Sequence, residues 1–181
     1  MSQKIDIPNV KMTLSLIRSC RESDLSAIQE IYAVEVLAST ASFEIEPPDV
    51  KELKRRIRRV KEANLPYLVA DIDNQIAGFA YVTPYRLRAA YRYTVESSIY
   101  VARWTQGQGI GTQLLQELVM ACKNIGVRQM IAIIGGGENI ASIRIHEKTG
   151  FRKIGTLKNV GWKFESWIDT VVMQLELQES D

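Results

Sequence analysis

The chain has very little of what builds metal and disulfide sites. Its 181 residues include one histidine, His146, and two cysteines, Cys20 and Cys122. A single histidine excludes a multi-histidine metal centre. Two cysteines are too few for a disulfide framework, and no CxxC pair offers a metal or redox site. They read as reduced packing thiols, and no metal is expected. The chain also lacks an apolar run of membrane-spanning length. Its first residues, "MSQKIDIPNVKM", are polar and broken by Pro8, without the apolar stretch of a signal peptide. A cytoplasmic location is therefore expected. Charge is nearly balanced: 23 Lys and Arg stand against 21 Asp and Glu, a net +2. That balance demands neither nucleic acid nor a membrane surface as partner. Internal repeats and low-complexity linkers are absent as well.

What is present suits one domain with a sizeable core. Residues 1–12 read as a loose arm and residues 13–181 as the domain. "LSLIRSC" alternates like a strand, and Ser23 and Asp24 offer caps to a helix carrying Leu25, Ile28, Ile31 and Tyr32. Pro47 and Pro48 close a loop, and Asp49 can cap a second helix with Val50, Leu53, Ile57 and Val60 as its apolar stripe. "LPYLVADIDN" and "QIAGFAYVTPY" form a hairpin about Asp73 and Asn74. "YTVESSIYVA" is a further strand. A helix with Leu114, Leu115, Leu118, Cys122 and Ile125 follows, with Gly126 at its C-terminal end. "RQMIAII" is a short buried strand, and a helix closed by Gly150 comes after it. "FRKIGTL" and "KFESWIDTVVMQLEL" complete the set. Helices and strands alternate, with hairpins among them, which predicts an α/β fold around a mixed sheet.

Between strand and helix lies "TQGQGIGT", with Gly107, Gly109 and Gly111 in five residues. A dinucleotide fingerprint fails, because Thr112 stands where its third glycine belongs. A Walker A loop fails for want of lysine. What remains is a tight turn whose following amides can face a pyrophosphate at a helix N-terminus. The glycines alone fit a ligand-free turn equally well.

Q/R-x-x-G-x-G/A between a strand and a helix resembles the acetyl-CoA loop of the GNAT N-acetyltransferases. "ENIASIRIHEKTGF" resembles that family's N-x-x-A/S…Y/H-E-x-x-G-F segment, at the expected distance downstream. "TASFEIEPP", "YRLRAAYRYTVESSIYV" and "VGWKFESWIDTVVMQ" are similar to one branch, the phosphinothricin and methionine sulfoximine N-acetyltransferases. The resemblance implies a mostly antiparallel mixed sheet, splayed to hold acetyl-CoA and flanked by helices. Gln106, Gly107, Gln108, Gly109, Ile110, Gly111 and Thr112 would bind pyrophosphate. The main chain of Ile99, Tyr100 and Val101 would pair with pantetheine like an added strand. An amide there would also stabilise an oxyanion. Asn139 and Lys148 would complete the cofactor set.

The reaction needs a neutral amine, and an α-amino group is largely protonated near neutral pH. Glu96 sits mid-strand, where glutamate is depleted. Spacing alone fits a carboxylate on a solvated sheet face; the resemblance makes Glu96 the base. His146, seven residues after Asn139, would protonate the leaving thiolate or hydrogen-bond beside it, unless it is a packing histidine. Phe43 would wall the acceptor pocket, with Arg86, Arg88, Ala89, Ala90 and Tyr91 as further substrate contacts. Gly135, Gly136 and Gly137 depart from the branch's usual pattern and are expected to loosen or reshape that wall. Trp162, Phe164 and Trp167 fit either a core or a subunit contact, and the resemblance implies a homodimer. The implied partner is a small amino-acid-like amine. Rival readings are a GNAT enzyme for a protein N-terminus or polyamine, and a non-catalytic CoA sensor. The seven Lys and Arg between Lys51 and Lys61 could suit nucleic acid, but the intact apolar stripe reads as one face of a solvated helix.

Overall fold

Local sequence accounts for most element boundaries in the computed structural model, which describes residues 15–136 and 139–178. The expected arm at 1–12, Gly137 and Glu138 lie outside the described residues. Strands β1 (Leu16–Ser19), β2 (Tyr67–Ile72) and β3 (Gln75–Pro84) open the sheet. Asp73 and Asn74, at φ 51° and 66°, join β2 to β3. Two left-handed residues match the twist of a tight hairpin, and Asn and Asp tolerate that conformation. Strands β4 (Thr94–Val101), β5 (Gln129–Gly135), β6 (Arg152–Lys163) and β7 (Ser166–Glu176) complete it. The spatial order is β1-β2-β3-β4-β5-β7-β6. Among the described strands only β4 and β5 run parallel; every other neighbouring pair is antiparallel.

Helices α1 (Leu25–Ala38) and α2 (Val50–Glu62) cover one face of the sheet. Helices α3 (Ile110–Asn124) and α4 (Ile140–Lys148) belong to the other. Strand alternation sorts the two cores. Ala80, Val82, Val95, Met130 and Met173 pack with Leu114, Leu115 and Leu118 of α3. Val69, Phe79 and Tyr100 pack with Ile28 and Tyr32 of α1 and Leu53 and Ile57 of α2. Both cysteines are buried and unbridged, and burial pushes Cys20 up to about 11 and Cys122 to about 12. They are inert packing thiols at neutral pH.

Three expectations change. Asp24 does not cap α1 by its side chain. Instead it accepts from the Arg21 amide at 2.7 Å and from Arg18 at 2.7 and 2.9 Å, so a buried ion pair claims it. Ile125 lies past the end of α3 and is half exposed, with Gly126 at φ 81° closing the helix. The last hairpin also differs. Strand β6 runs on to Lys163, and Phe164 and Glu165, at φ 51° and 55°, form the turn. Asp49 does cap α2, accepting from the Glu52 amide at 2.7 Å. The cations of α2 are largely answered by Glu22, Glu44, Glu52 and Glu62.

Candidate active site

The site begins where the one parallel pair stops. Ladder pairing between β4 and β5 covers Thr94–Ser97 against Gln129–Ala132. Both strands continue, β4 to Val101 and β5 to Gly135, and there they part. The edge of β4 that faces β5 beyond Ser97 therefore has no ladder partner, and such an edge is a template for an added extended chain. A cleft of about 250 Å³ fills the fork, lined by Glu96, Ile99, Tyr100, Phe43, Asn139 and His146 among others. The Tyr100 ring is not available to it, being packed against Tyr32 and Phe79 at 4.9 and 5.1 Å. Its main chain is what the cleft meets. Val101 turns its side chain into the core beside Gly111.

At the far end of β4 the glycine turn leads into α3. Gly107 and Gly109 have φ of 78° and 85°, a left-handed backbone that favours glycine. The first helical bond runs from the Gln113 amide to the Gly109 carbonyl, 3.1 Å. The amides of Ile110, Gly111 and Thr112 precede it, at the positive end of the helix dipole. Gly111 serves packing: a Cβ there would stand 3.3 Å from Ile145 of α4.

Glu96 lies on the α1–α2 face of β4, opposite Thr83 of β3 and Ile131 of β5. Burial raises its carboxyl above the ordinary carboxylate range, and the charge of Arg86 pulls the other way. That is the direction a general base needs.

Asn139 caps α4, accepting from the Ser142 amide at 3.2 Å while also lining the cleft. His146 is buried on α4, about two turns beyond that cap, with its ring edge-on to Phe151 at 4.9 Å. Its Nδ1 is 2.8 Å from the Ser142 carbonyl. A carbonyl only accepts, so Nδ1 carries the proton and Nε2 is a lone-pair acceptor. Burial lowers the pKa of the ring, against a smaller opposite effect of that hydrogen bond. Nε2 is buried and has no protein partner among the described residues, as is true of Thr170 Oγ1. Both residues line the cleft.

Phe43 closes the cleft from the loop between α1 and α2. Of the two outcomes expected from the sequence, Gly135 and Gly136 reshape this wall and do not loosen it. A Cβ on Gly135 would fall 2.1 Å from the Thr40 carbonyl and 2.9 Å from the Phe43 ring. On Gly136, at φ 77°, it would fall 2.4 Å from Thr40 Oγ1. These glycines exist for close approach, so the wall is tight. Gly137 is outside the described residues.

The loop at 85–93 joins the site only in part. Arg86 reaches Glu96 by charge and stacks over Tyr85 at 5.0 Å. Arg88, Ala89, Ala90 and Tyr91 are exposed and do not line the cleft, the last three forming a 3₁₀ turn. Lys148 is exposed at the end of α4 and does not reach it either. Residues the sequence did not signal include Ser142, Thr170 and the β5 stretch Ala132–Ile134. Strand alternation marks which faces they share, but nothing local marks the fork.

A sheet forked at its one parallel pair, with a glycine turn and a helix N-terminus following the forked strand and a half-buried carboxylate lining the cleft, suits a coenzyme A-dependent acyltransferase. Residues 17–172 match the family model described as "Acetyltransferase (GNAT) domain", and the chain belongs to that family. It is 48% identical to the phosphinothricin N-acetyltransferase of Alcaligenes faecalis, over 91% of this chain and 84% of that one. It is 34% identical to the L-methionine sulfoximine/L-methionine sulfone acetyltransferase of Salmonella typhimurium, over 90% and 95%. A crystal structure of a phosphinothricin acetyltransferase from Sinorhizobium meliloti in complex with acetyl-CoA superposes with a TM-score of 0.87 at 40% identity, over 90% and 88%. The protein is an acetyl-CoA-dependent N-acetyltransferase. The residues present suit that cosubstrate: three helix-terminal amides for pyrophosphate, an unpaired β4 edge for the pantetheine arm, and a buried acceptor atom at His146. No cluster of His, Cys, Asp and Glu able to hold a metal occurs among the described residues. Nor is any helix there long and apolar enough to cross a membrane.

Proposed function

We propose that the protein acetylates the α-amino group of a small amino acid of the phosphinothricin or methionine sulfoximine type, by direct attack with amine and acetyl-CoA bound together. The observation that carries this is Glu96: a half-buried carboxylate of raised pKa, in the fork, on the face that Phe43 walls. Glu96 removes the proton that keeps the amine cationic, directly or through water, and later returns it to solvent. The amine nitrogen then bonds to the acetyl carbon. A β4 main-chain amide beyond Ser97 meets the charge growing on the acetyl oxygen. The carbon–sulfur bond breaks, the nitrogen gives up its second proton as the amide forms, and the thiolate takes up a proton through water, so the two balance. His146 is neutral and donates from Nδ1 to Ser142, so it serves as an acceptor from Nε2, not as the acid. Gly107–Thr112 bind the pyrophosphate and Ile99–Val101 the pantetheine. Asn139 orders the α4 end of the cleft.

Arg86 is the cation best disposed to pair with the acceptor's carboxylate, since it already senses Glu96. Arg88, Ala89, Ala90 and Tyr91 frame the outer mouth, and Lys148 offers an outlying cation for the cosubstrate. Residues 13–181 act as one catalytic domain. The chain works in the cytoplasm as a homodimer, paired through the exposed aromatic hairpin at Trp162 and Trp167. The test follows thiol release from acetyl-CoA with phosphinothricin, methionine sulfoximine, methionine sulfone, ordinary amino acids, spermidine and a peptide. Turnover of the first three, with none of spermidine or peptide, is expected. Tight CoA binding with no amine turned over would replace an enzyme with a sensor.

A further inference from the structure

Lys163 is the last residue of β6 and is buried to 4% exposure. A buried ammonium is costly unless something specific requires it. No carboxylate lies within ion-pair distance of Lys163 among the described residues. Its Nζ donates instead to two main-chain carbonyls, Ser39 at 2.9 Å and Ser42 at 2.6 Å. Both belong to the loop between α1 and α2, more than 120 residues away in sequence. Burial lowers the pKa of this amine, while the charges of Glu35 and Glu44 oppose the shift.

Two residues before Lys163, on the same face of β6, stands Gly161. A Cβ there would lie 2.1 Å from Cε2 of Phe43 and 2.7 Å from two more ring atoms. The Phe43 ring therefore lies across bare backbone at Gly161 on β6 and Gly135 on β5. The same loop is held from behind. Tyr32 hydrogen-bonds Ser42 Oγ at 3.0 Å and donates to Glu44 at 2.9 Å, and Arg56 pairs with Glu44 at 2.6 Å. Those bonds fix the loop to its own helices. The Lys163 hydrogen bonds instead tie it to β6, the edge strand separated by β7 from the β5 side of the cleft.

We propose that Lys163 is a positioning residue for the acceptor pocket: by clamping the Ser39 and Ser42 carbonyls it seats Phe43 on Gly161 and Gly135. The argument rests on the reading that Phe43 walls an amine site. Lys163 touches neither substrate, so its influence passes through Phe43, and it leaves the cosubstrate side of the fork alone.

The test is a double-mutant cycle on KM for the amine, with CoA affinity measured alongside. In Lys163→Met the KM for the amine is expected to rise about tenfold, with kcat changed less and CoA affinity unchanged. In a Phe43→Ala background the same substitution is expected to add little, because the wall is already gone. Additive effects in the cycle, or a parallel loss of CoA affinity, would overturn the proposal. Gly161→Ala probes the same contact without touching the charge. It is expected to impair amine binding in the native chain and to be harmless beside Phe43→Ala; equal effects in both backgrounds would also overturn it. Hydrogen exchange at residues 39–43 reads the clamp without any turnover. If the native chain acetylates no amine yet Lys163→Met speeds exchange there, the function is wrong and the clamp stands. Unchanged exchange disposes of the clamp alone.

Discussion

Glu96, half-buried, and His146, buried, are two titratable groups driven in opposite directions by the same cause. Burial disfavours charge, so it raises a carboxyl and lowers an imidazole. For Glu96 the consequence is kinetic. The base works deprotonated, so kcat/KM rises with pH through a pKa above the ordinary ~4.3. Glu96→Gln should abolish that acid limb and lower turnover roughly 10²–10⁴-fold, with CoA affinity retained. Steady-state rates between pH 4.5 and 8 and a CoA titration check both parts. For His146 the consequence is stability. The unfolded imidazole takes a proton near pH 6.5, whereas the folded one resists. Protonation therefore favours the unfolded chain, and stability should fall as pH drops below about 6.5, levelling off below the folded pKa. Urea unfolding of the native chain and His146→Phe across pH 5–8 measures it; the variant should lose that part of the slope. Thr170 offers a third residue-scale test. Its buried hydroxyl has no protein partner, so Thr170→Val should leave the melting temperature equal or higher. A lower one would mean that the hydroxyl is satisfied in the folded protein.

Among the elements, the glycine turn and α3 show how far sequence alone can be followed. Three glycines before an apolar helical stripe announce a left-handed entry to a helix, and the structure has it at Gly107 and Gly109. Gly109 at φ 85° is the residue to change. Valine is strained there by about 1–3 kcal/mol, enough to weaken CoA binding about tenfold or more, readable by calorimetry. The hairpin at Asp73 and Asn74 is equally legible, since its residue types favour the turn. The one at Phe164 and Glu165 is not: neither residue invites positive φ, and pairing of the long strands β6 and β7 imposes it. Asp24 looks like a helix cap because nothing nearby announces Arg18 as its competitor. Lys163 looks like a surface lysine for the same reason, its partners lying across the chain. Local rules reach turns, caps and stripes; they do not reach contacts made between distant segments. The fork shares this limit, because ladder pairing ends without a sequence mark.

At the scale of the whole molecule, α3 is the girder between strands and cleft. Leu118 is fully buried among the β-strand side chains of its face. Leu118→Ala should cost about 2–5 kcal/mol, measured by chemical denaturation, with both ligand sites weakened only through stability. On the outer side, Trp162 and Trp167 pair edge-on at 5.1 Å while remaining 55% and 63% exposed. They are not core. If this hairpin joins two copies, replacing both with serine should give a monomer in sedimentation experiments; an unchanged state moves the interface elsewhere.

The ladder between β4 and β5 spans four residue pairs, with the Ser97 hydroxyl donating to the Ile131 carbonyl beside it. On one side of that seam lie β1 to β4, and on the other β5 to β7. The cosubstrate, laid along the open edge beyond Ser97, would thus be a mechanical splint as well as a reagent. Saturating CoA at a hundred times its Kd should add about 2.7 kcal/mol of stability. The protection should concentrate along the facing edges of β4 and β5, so each turnover would brace the sheet and then release it.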